Sequence, residues 1–272
     1  MKQLDNIAVA MWTHSSYADI WPMYFGQLEQ HAPFLKKYCI INEPSNSIPA
    51  SCAQIVNTES DPYYRRFVES ISQIQEEYIV YMQEDFILYG DVSPSSISKI
   101  KEFLEDSPYS FVRLIKSGVE GGEQVLETPP VYEIPHSCGG ARAGNFDLRH
   151  SPEIYPQGGH DRPYIFSYQA TIWKKQSLLN LFNFFKPKSL MEGELYGSYA
   201  CLNTNTRGCY AYGGEEKRSN LHYDSDLFPF ISTALHGGSH GRPAKWVLSA
   251  YPKELGNLLK KYSIDPNERG IL

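Results

Sequence analysis

An apolar run, Tyr78-Ile79-Val80-Tyr81-Met82, ends in Gln83-Glu84-Asp85 and resumes at Phe86-Ile87-Leu88-Tyr89 before turning at Gly90. Two adjacent carboxylates set into a hydrophobic segment must be hydrated, paired or cation-bound, because burying them bare is prohibitively costly. Acidic side chains delivered at the C-terminal end of a buried strand are suited to holding Mg2+ or Mn2+ over a phosphate group. Asp85 is the preferred ligand, and Glu84 is a candidate for the metal or for a bound substrate. Taken alone, the triplet also reads as a solvated turn or an ion pair.

Two further clusters could take part. Arg65 and Arg66 lie in the first turns of a helix expected to open at Asp61-Pro62, where Asp suits the N-cap and Pro the first helical position. An Arg there could grip a diphosphate with two parallel hydrogen bonds, or simply face solvent. Thr13-His14-Ser15-Ser16 offers hydroxyls and a backbone cradle for a base or ribose, or is an ordinary polar loop. His222 with Asp224 and Asp226 is another polar cluster, able to face a site or to solvate a loop.

These groups need a frame. Ile7-Ala8-Val9-Ala10-Met11-Trp12 reads as a buried first strand, followed by a helix through Trp21, Tyr24, Phe25 and Leu28, and a second strand over Lys37–Asn42. The order strand, helix, strand predicts a parallel βαβ unit with both faces covered. Ligands of such sheets bind at the carboxyl ends of the strands, which puts the Thr13–Ser16 loop and the Gln83–Asp85 notch on one rim. Tyr64, Phe67, Val68, Ile71 and Ile74 recur at helical spacing. Ser93-Pro94 opens a helix with Ile97, Ile100, Phe103 and Leu104 inward, and Phe111–Ile115 is the next strand. The stretch from Pro135 to Pro163 loses periodicity and mixes Gly with charged residues, as a substrate-covering loop or plain irregular surface would. A helix over Lys174–Phe185 stops at Pro187, Ser189-Leu190-Met191-Glu192 has capping-box spacing, Cys209–Tyr212 is strand-like, and a last helix lies near Pro252–Tyr262.

Composition narrows the class. The 272 residues suffice for one large or two small domains, and we expect one, with an N-terminal half over about 1–115 and a second half over about 116–272. A net charge of −6 with interspersed signs gives no basic stripe, which argues against a nucleic-acid partner. The 20 Tyr suit sugar or nucleoside stacking as well as an aromatic core. Five scattered cysteines without CxxC spacing argue against a disulfide framework or zinc site and for a reducing compartment. No apolar run reaches membrane-span length, so the expectation is a cytoplasmic protein, with peripheral membrane attachment still compatible.

The first strand with its Thr13–Ser16 loop, the helix over Asp61–Ile74, the strand closing on Gln83-Glu84-Asp85, and Ser167–Trp173 followed by Met191-Glu192-Gly193-Glu194 together resemble the GT-A fold of nucleotide-sugar glycosyltransferases, in particular small bacterial and viral-type members. The resemblance implies an α/β, Rossmann-like three-layer sandwich on a mostly parallel central sheet. It implies hexosyl transfer from a nucleoside-diphosphate sugar to a hydroxyl on a glycan or lipid-linked acceptor. Gln83-Glu84-Asp85 stands where such enzymes carry an Asp-x-Asp motif, with Gln83 leaving fewer carboxylates for Mn2+ or Mg2+. A late His, His240 or His236, is the implied additional metal ligand. The implied base is a carboxylate near the start of the late helix. Glu194 is preferred because the capping box already accounts for Glu192, although swapped roles stay open. Two alternatives stand beside this reading. A sugar nucleotidyltransferase would carry a Gly-rich basic loop after the first strand, whereas Thr13-His14-Ser15-Ser16-Tyr17 has no Gly and no basic residue but His14. A non-catalytic carbohydrate- or nucleotide-binding protein would retain the fold.

Overall fold

The computed structural model describes residues 4–116, 122–135, 165–214, 216–218, 222–223, 226–232, 234 and 245–265. Strand β1 (Ile7–Trp12) leads through a 3-10 turn at Ser15–Tyr17 to helix α1 (Trp21–His31), then β2 (Lys36–Ile41), β3 (Cys52–Val56), α2 (Tyr63–Ser72) and β4 (Tyr78–Gln83). There follow β5 (Ile87–Leu88), α3 (Pro94–Asp106), β6 (Phe111–Arg113), β7 (Gln124–Leu126) and β8 (Val131–Glu133). The chain continues with β9 (Thr171–Lys174), α4 (Lys175–Phe185), α5 (Leu190–Thr204), β10 (Gly208–Ala211), β11 (Glu216–Arg218), β12 (His222–Tyr223), β13 (Phe230–Ile231), α6 (Lys245–Ala250) and α7 (Pro252–Lys261).

Among the described residues, nine strands join in the order β3-β2-β1-β4-β9-β6-β10-β8-β7. β9 and β8 run against their neighbours, and the rest share one direction. The alternation of side chains along each strand divides the core in two. Val9, Met11, Val80, Met82 and Ile172 pack with α1, α3, α6 and α7, while Ala10, Ile79, Tyr81, Phe111 and Trp173 pack with α2, α4 and α5. The result is an α/β three-layer sandwich on a mostly parallel sheet. β1 and β4 are apolar on both faces because helices cover both.

Several elements depart from the sequence reading. Pro62, not Asp61, occupies the N-cap of α2, which has no side-chain cap, and Ile74 lies past its end. The inserted β9 is antiparallel, and β3 and the short strands β5, β7, β8 and β11–β13 carry no clear sequence signal. The caps of α3 and α5 are as expected: Ser93 accepts from the Ser96 amide and Ser189 from the Glu192 amide. Cys39, Cys52, Cys201 and Cys209 are free and buried. Among the described residues no helix is long and apolar enough to cross a membrane.

Candidate active site

The chain lays down β1, β2 and β3 outward in one direction, then crosses back to place β4 on the other side of β1. The strand order reverses between β1 and β4, and the carboxyl ends flanking such a reversal form the usual ligand crevice of an open α/β sheet. Trp12 pairs in register with Gln83, so the two strands end side by side. The Thr13–Ser16 loop leaves one and the Gln83–Asp85 turn leaves the other.

The loop after β1 is rigidly built. The His14 Nδ1 accepts from the Ser16 amide at 3.0 Å, and its Nε2 faces Glu59 Oε1 at 3.0 Å. The Ser15 amide donates to Asn42 Oδ1 at 2.8 Å, and Asn42 Nδ2 donates to Ser15 Oγ at 3.1 Å. Thr13 is buried, and its hydroxyl accepts from Trp21 Nε1 at 3.1 Å. Thr13 and His14 are therefore engaged in shaping the loop, and Ser15 with Asn42 forms its floor at the end of β2.

On the other strand, the Phe86 amide closes a turn onto the Gln83 carbonyl at 3.1 Å, leaving Glu84 and Asp85 half-buried at its apex. The Asp85 carbonyl accepts from the Ala234 amide at 2.9 Å, which anchors the turn. Burial is the main reason the Tyr24, Cys39 and Tyr81 hydroxyl and thiol groups titrate above their ordinary values. The Glu84 charge adds to all three, and Asp85 adds to Tyr81. Glu84 and Asp85 offer oxygen donors only, and among the described residues no group of three acidic, His or Cys ligands converges. Two carboxylates could contribute to a site for Mg2+ or Mn2+, ions that take oxygen ligands and usually keep several waters.

The start of α2 lies on the same edge. Arg65 is exposed, whereas Arg66 turns inward and donates from Nη1 to Asn57 Oδ1 at 3.1 Å. Asn57 follows β3, its amide bonded to the Ile41 carbonyl at 2.8 Å. Arg66 Nε is buried without an acceptor.

The segment before β9 closes this edge. Its Tyr168 hydroxyl accepts from Tyr63 at 3.1 Å, the Tyr168 ring lies 5.8 Å from that of Tyr81, and Trp12 meets Tyr63 edge-on at 5.6 Å. Gly193 of α5 sits directly on the Tyr168 hydroxyl, where a Cβ would come within 1.9 Å. The next residue is Glu194, in the first turns of α5. Its side chain is exposed at the surface, yet the surrounding protein displaces enough water to raise its carboxyl above the ordinary value. The Glu194 charge reaches Tyr168, whose hydroxyl is raised first by burial. Glu192 instead accepts from the Lys188 amide and closes the cap of α5.

His240, His236 and Asp224 lie outside the described residues, as does nearly all of the Pro135–Pro163 stretch. Residues without an individual signal in the sequence complete the site: Asn42, Asn57, Tyr63 and Tyr168. Ser167 and Gln169 join them, buried at 4% and 8% exposure, with Ser167 Oγ and Gln169 Oε1 lacking hydrogen-bond partners. Polar residues at the ends of apolar strands, Asn42 above all, were the available cue.

No protein family matches the chain by sequence, and no curated protein matches it. Among solved structures it is similar to Staphylococcus aureus TarS 1-349 in complex with UDP, at 12% identity and a TM-score of 0.44, over 80% of this chain and 59% of that one. It is similar to a CMP:2-keto-3-deoxy-manno-octonic acid synthetase complexed with CTP, at 10% identity and a TM-score of 0.42, over 76% of this chain and 89% of that one. A mannosyltransferase from Pyrobaculum calidifontis in complex with GDP-Man and Mn2+ matches at 11% identity and a TM-score of 0.32, over 42% of this chain and 36% of that one. With TM-scores below 0.5, none of them decides the family or the activity of this chain.

Proposed function

We propose that the protein is a GT-A-like glycosyltransferase, moving a sugar from a nucleoside-diphosphate donor to a hydroxyl of a glycan or lipid-linked acceptor. One observation carries the reading: at the reversal of strand order, the acidic Glu84–Asp85 turn lies beside the Thr13–Ser16 loop, on the edge that also bears the inward Arg66.

In this reading the loop after β1, through Ser15 and its Asn42 floor, receives the nucleoside. Arg66, with a buried donor still unused, draws the diphosphate. Asp85, with Glu84, would hold Mn2+ or Mg2+, which when bound neutralises the charge that develops on the leaving diphosphate. Glu194, its carboxyl raised by desolvation, takes the proton from the attacking acceptor hydroxyl. Tyr168 and Tyr63 set the position of Glu194 through Gly193.

The test is a thermal-shift screen of nucleoside diphosphates with and without Mn2+, followed by turnover of the donor that binds. A ligand bound only by the native state raises apparent stability by about 2.7 kcal/mol at a hundredfold excess over its Kd. Asp85→Ala should remove transfer while the far-ultraviolet dichroism stays native; transfer at the wild-type rate in that variant would take the acidic turn out of the mechanism. Release of a nucleoside diphosphate supports glycosyl transfer, and release of pyrophosphate from a nucleoside triphosphate would replace it with nucleotidyl transfer. A protein that binds nucleotide but turns over neither substrate would be a binder on the same fold.

A further inference from the structure

The turn between α4 and α5 differs from the rest of the described surface. Among the described residues, the large apolar side chains left exposed are Val56, Phe184 and Met191, the last two at 53% and 65%. Phe184 and Met191 flank one turn, Lys186-Pro187-Lys188-Ser189, in which both lysines are exposed. The turn is held from beneath. Pro187 is buried, and Phe185 and Leu190 pack against the core. The Lys186 amide donates to the Phe182 carbonyl at 3.0 Å, and Ser189 caps α5. Lys186 adopts φ 47° and ψ 59°, the left-handed conformation that favours glycine at this position.

Strand direction fixes where the turn lies. β9 runs against β4, so it begins at the carboxyl edge and ends at the opposite one. α4 then returns to the carboxyl edge, and the turn emerges beside the start of α2. The Lys186 amine 6.0 Å from the centre of the Tyr64 ring agrees with this placement, and Arg65, exposed, is next to Tyr64. Met191 and Glu194 are three residues apart on α5 and so share a side of the helix.

We propose that this turn docks on an anionic lipid surface, with Phe184 and Met191 entering the interface and Lys186, Lys188 and Arg65 meeting the headgroups. Two apolar tips separated by a basic turn suit a surface that accepts single side chains anywhere along it. They are too few for a stable protein partner, which needs on the order of 1,000 Å2 of complementary contact. The pairing of sign matters because the chain as a whole carries −6 and is repelled by anionic headgroups elsewhere. Two carboxylates of α5 oppose these cations, that of Glu192, which accepts from the Lys188 amide, and that of Glu194, exposed three residues beyond Met191, leaving Lys186, Lys188 and Arg65 in excess. The docking does not rest on the proposed transfer. If both hold, it presents a lipid-linked acceptor on the side of Glu194.

The experiment is co-sedimentation of the full chain with vesicles of phosphatidylcholine alone and of phosphatidylcholine mixed with phosphatidylglycerol, without nucleotide. The wild-type protein should sediment with the mixed vesicles only, and less so at high salt. Lys186→Ala with Lys188→Ala should lower the partition by about thirtyfold, since each lysine near an anionic surface contributes about five- to sixfold. Phe184→Ser with Met191→Ser should lower it as well, although every charge is kept, and dichroism should confirm that both double variants are folded. Absence of wild-type binding to anionic vesicles, or binding unchanged in either double variant, overturns the proposal. So does a concentration-dependent dimer abolished by Phe184→Ser with Met191→Ser, which would make the turn a contact between two copies of the chain.

Discussion

The Tyr63 hydroxyl donates to the Tyr168 hydroxyl at 3.1 Å, across 105 residues of sequence, and ties the first residue of α2 to the segment that enters β9. Gly193 rests on the same hydroxyl, with room for no side chain. Gly193→Ala should therefore destabilise the protein by about 1–3 kcal/mol through overpacking. Tyr168→Phe should cost about 1–3 kcal/mol by leaving the Tyr63 hydroxyl buried without an acceptor. The double variant should cost less than the sum, because the oxygen that the new methyl strikes is gone, although the ring carbon behind it still lies 2.9 Å away. Urea unfolding of the four proteins measures this. Strict additivity would mean that α5 shifts away rather than pressing on Tyr168.

Glu194 gives the proposed reaction a pH signature. Desolvation by the surrounding protein raises the carboxyl of this surface residue in the folded state, which therefore holds that proton to a higher pH than the unfolded state does. Stability assigned to this group is present below the unfolded value and is lost as pH rises through the interval up to the folded value. Glu194→Gln should flatten that part of the stability profile. The same substitution should lower kcat/KM by about 10²–10⁴-fold and remove the acidic limb of its pH profile, which in the wild type is displaced upward from the ordinary value of a glutamate carboxyl. If Glu192→Gln produces the kinetic change and Glu194→Gln does not, the base has been assigned to the wrong residue.

The parts of this site that are readable in sequence are those whose signal is local. Glu84 and Asp85 stand out because they interrupt an apolar run. Ser93 and Ser189 announce helices because a cap and its partner amide are three residues apart. Asp61 misled, because the proline that follows it took the cap position itself. β3 escaped notice because Ala53, Gln54 and Val56 are exposed on an edge strand, so its pattern is only half apolar. The antiparallel β9 could not be read at all: its direction is settled by pairing with β4 and β6, some 60 to 90 residues earlier. The inward turn of Arg66, the His14–Glu59 contact and the Tyr63–Tyr168 bond likewise depend on where the chain returns, which no local pattern records.

At the opposite end of the sheet, Glu76 predicts acid sensitivity unrelated to the site. Its carboxylate is 2% exposed, and burial alone would raise its pKa. Hydrogen bonds from Lys36, at 2.6 Å, from its own backbone and from Tyr38 outweigh that penalty and hold it below the ordinary value. An acid depressed in the folded state contributes stability above its unfolded pKa and loses it as pH falls through the folded one. Glu76→Gln should leave a shallower loss of stability below about pH 4, the range in which carboxylates protonate. Chemical denaturation at a series of pH values would reveal it, and parallel profiles for the two proteins would mean that other carboxylates dominate acid unfolding.

Ser167 and Gln169 supply the most direct separation of binding from folding. Both are almost wholly buried, and Ser167 Oγ and Gln169 Oε1 lack partners, a state that costs about 1–3 kcal/mol for each group. The segment that carries them is pinned by Arg113 Nη2 to the Ile165 carbonyl at 3.0 Å and by Ser198 Oγ to the Phe166 amide at 3.0 Å, so it cannot easily move to satisfy them. For hydroxyls of the sugar or acceptor to complete these bonds in the proposed reaction, the bound ligand must open the surface that covers both atoms, since neither is accessible in the ligand-free protein. Gln169→Leu, which keeps the volume and drops the amide, should then leave the ligand-free protein as stable as the wild type or up to about 1–2 kcal/mol more so. Binding should weaken by about tenfold or more, because the ligand hydroxyl now meets an apolar side chain. Thermal unfolding with and without the donor found by the screen separates the two effects. A variant that is less stable without ligand and unchanged in binding would show that Gln169 supports the fold and not the site.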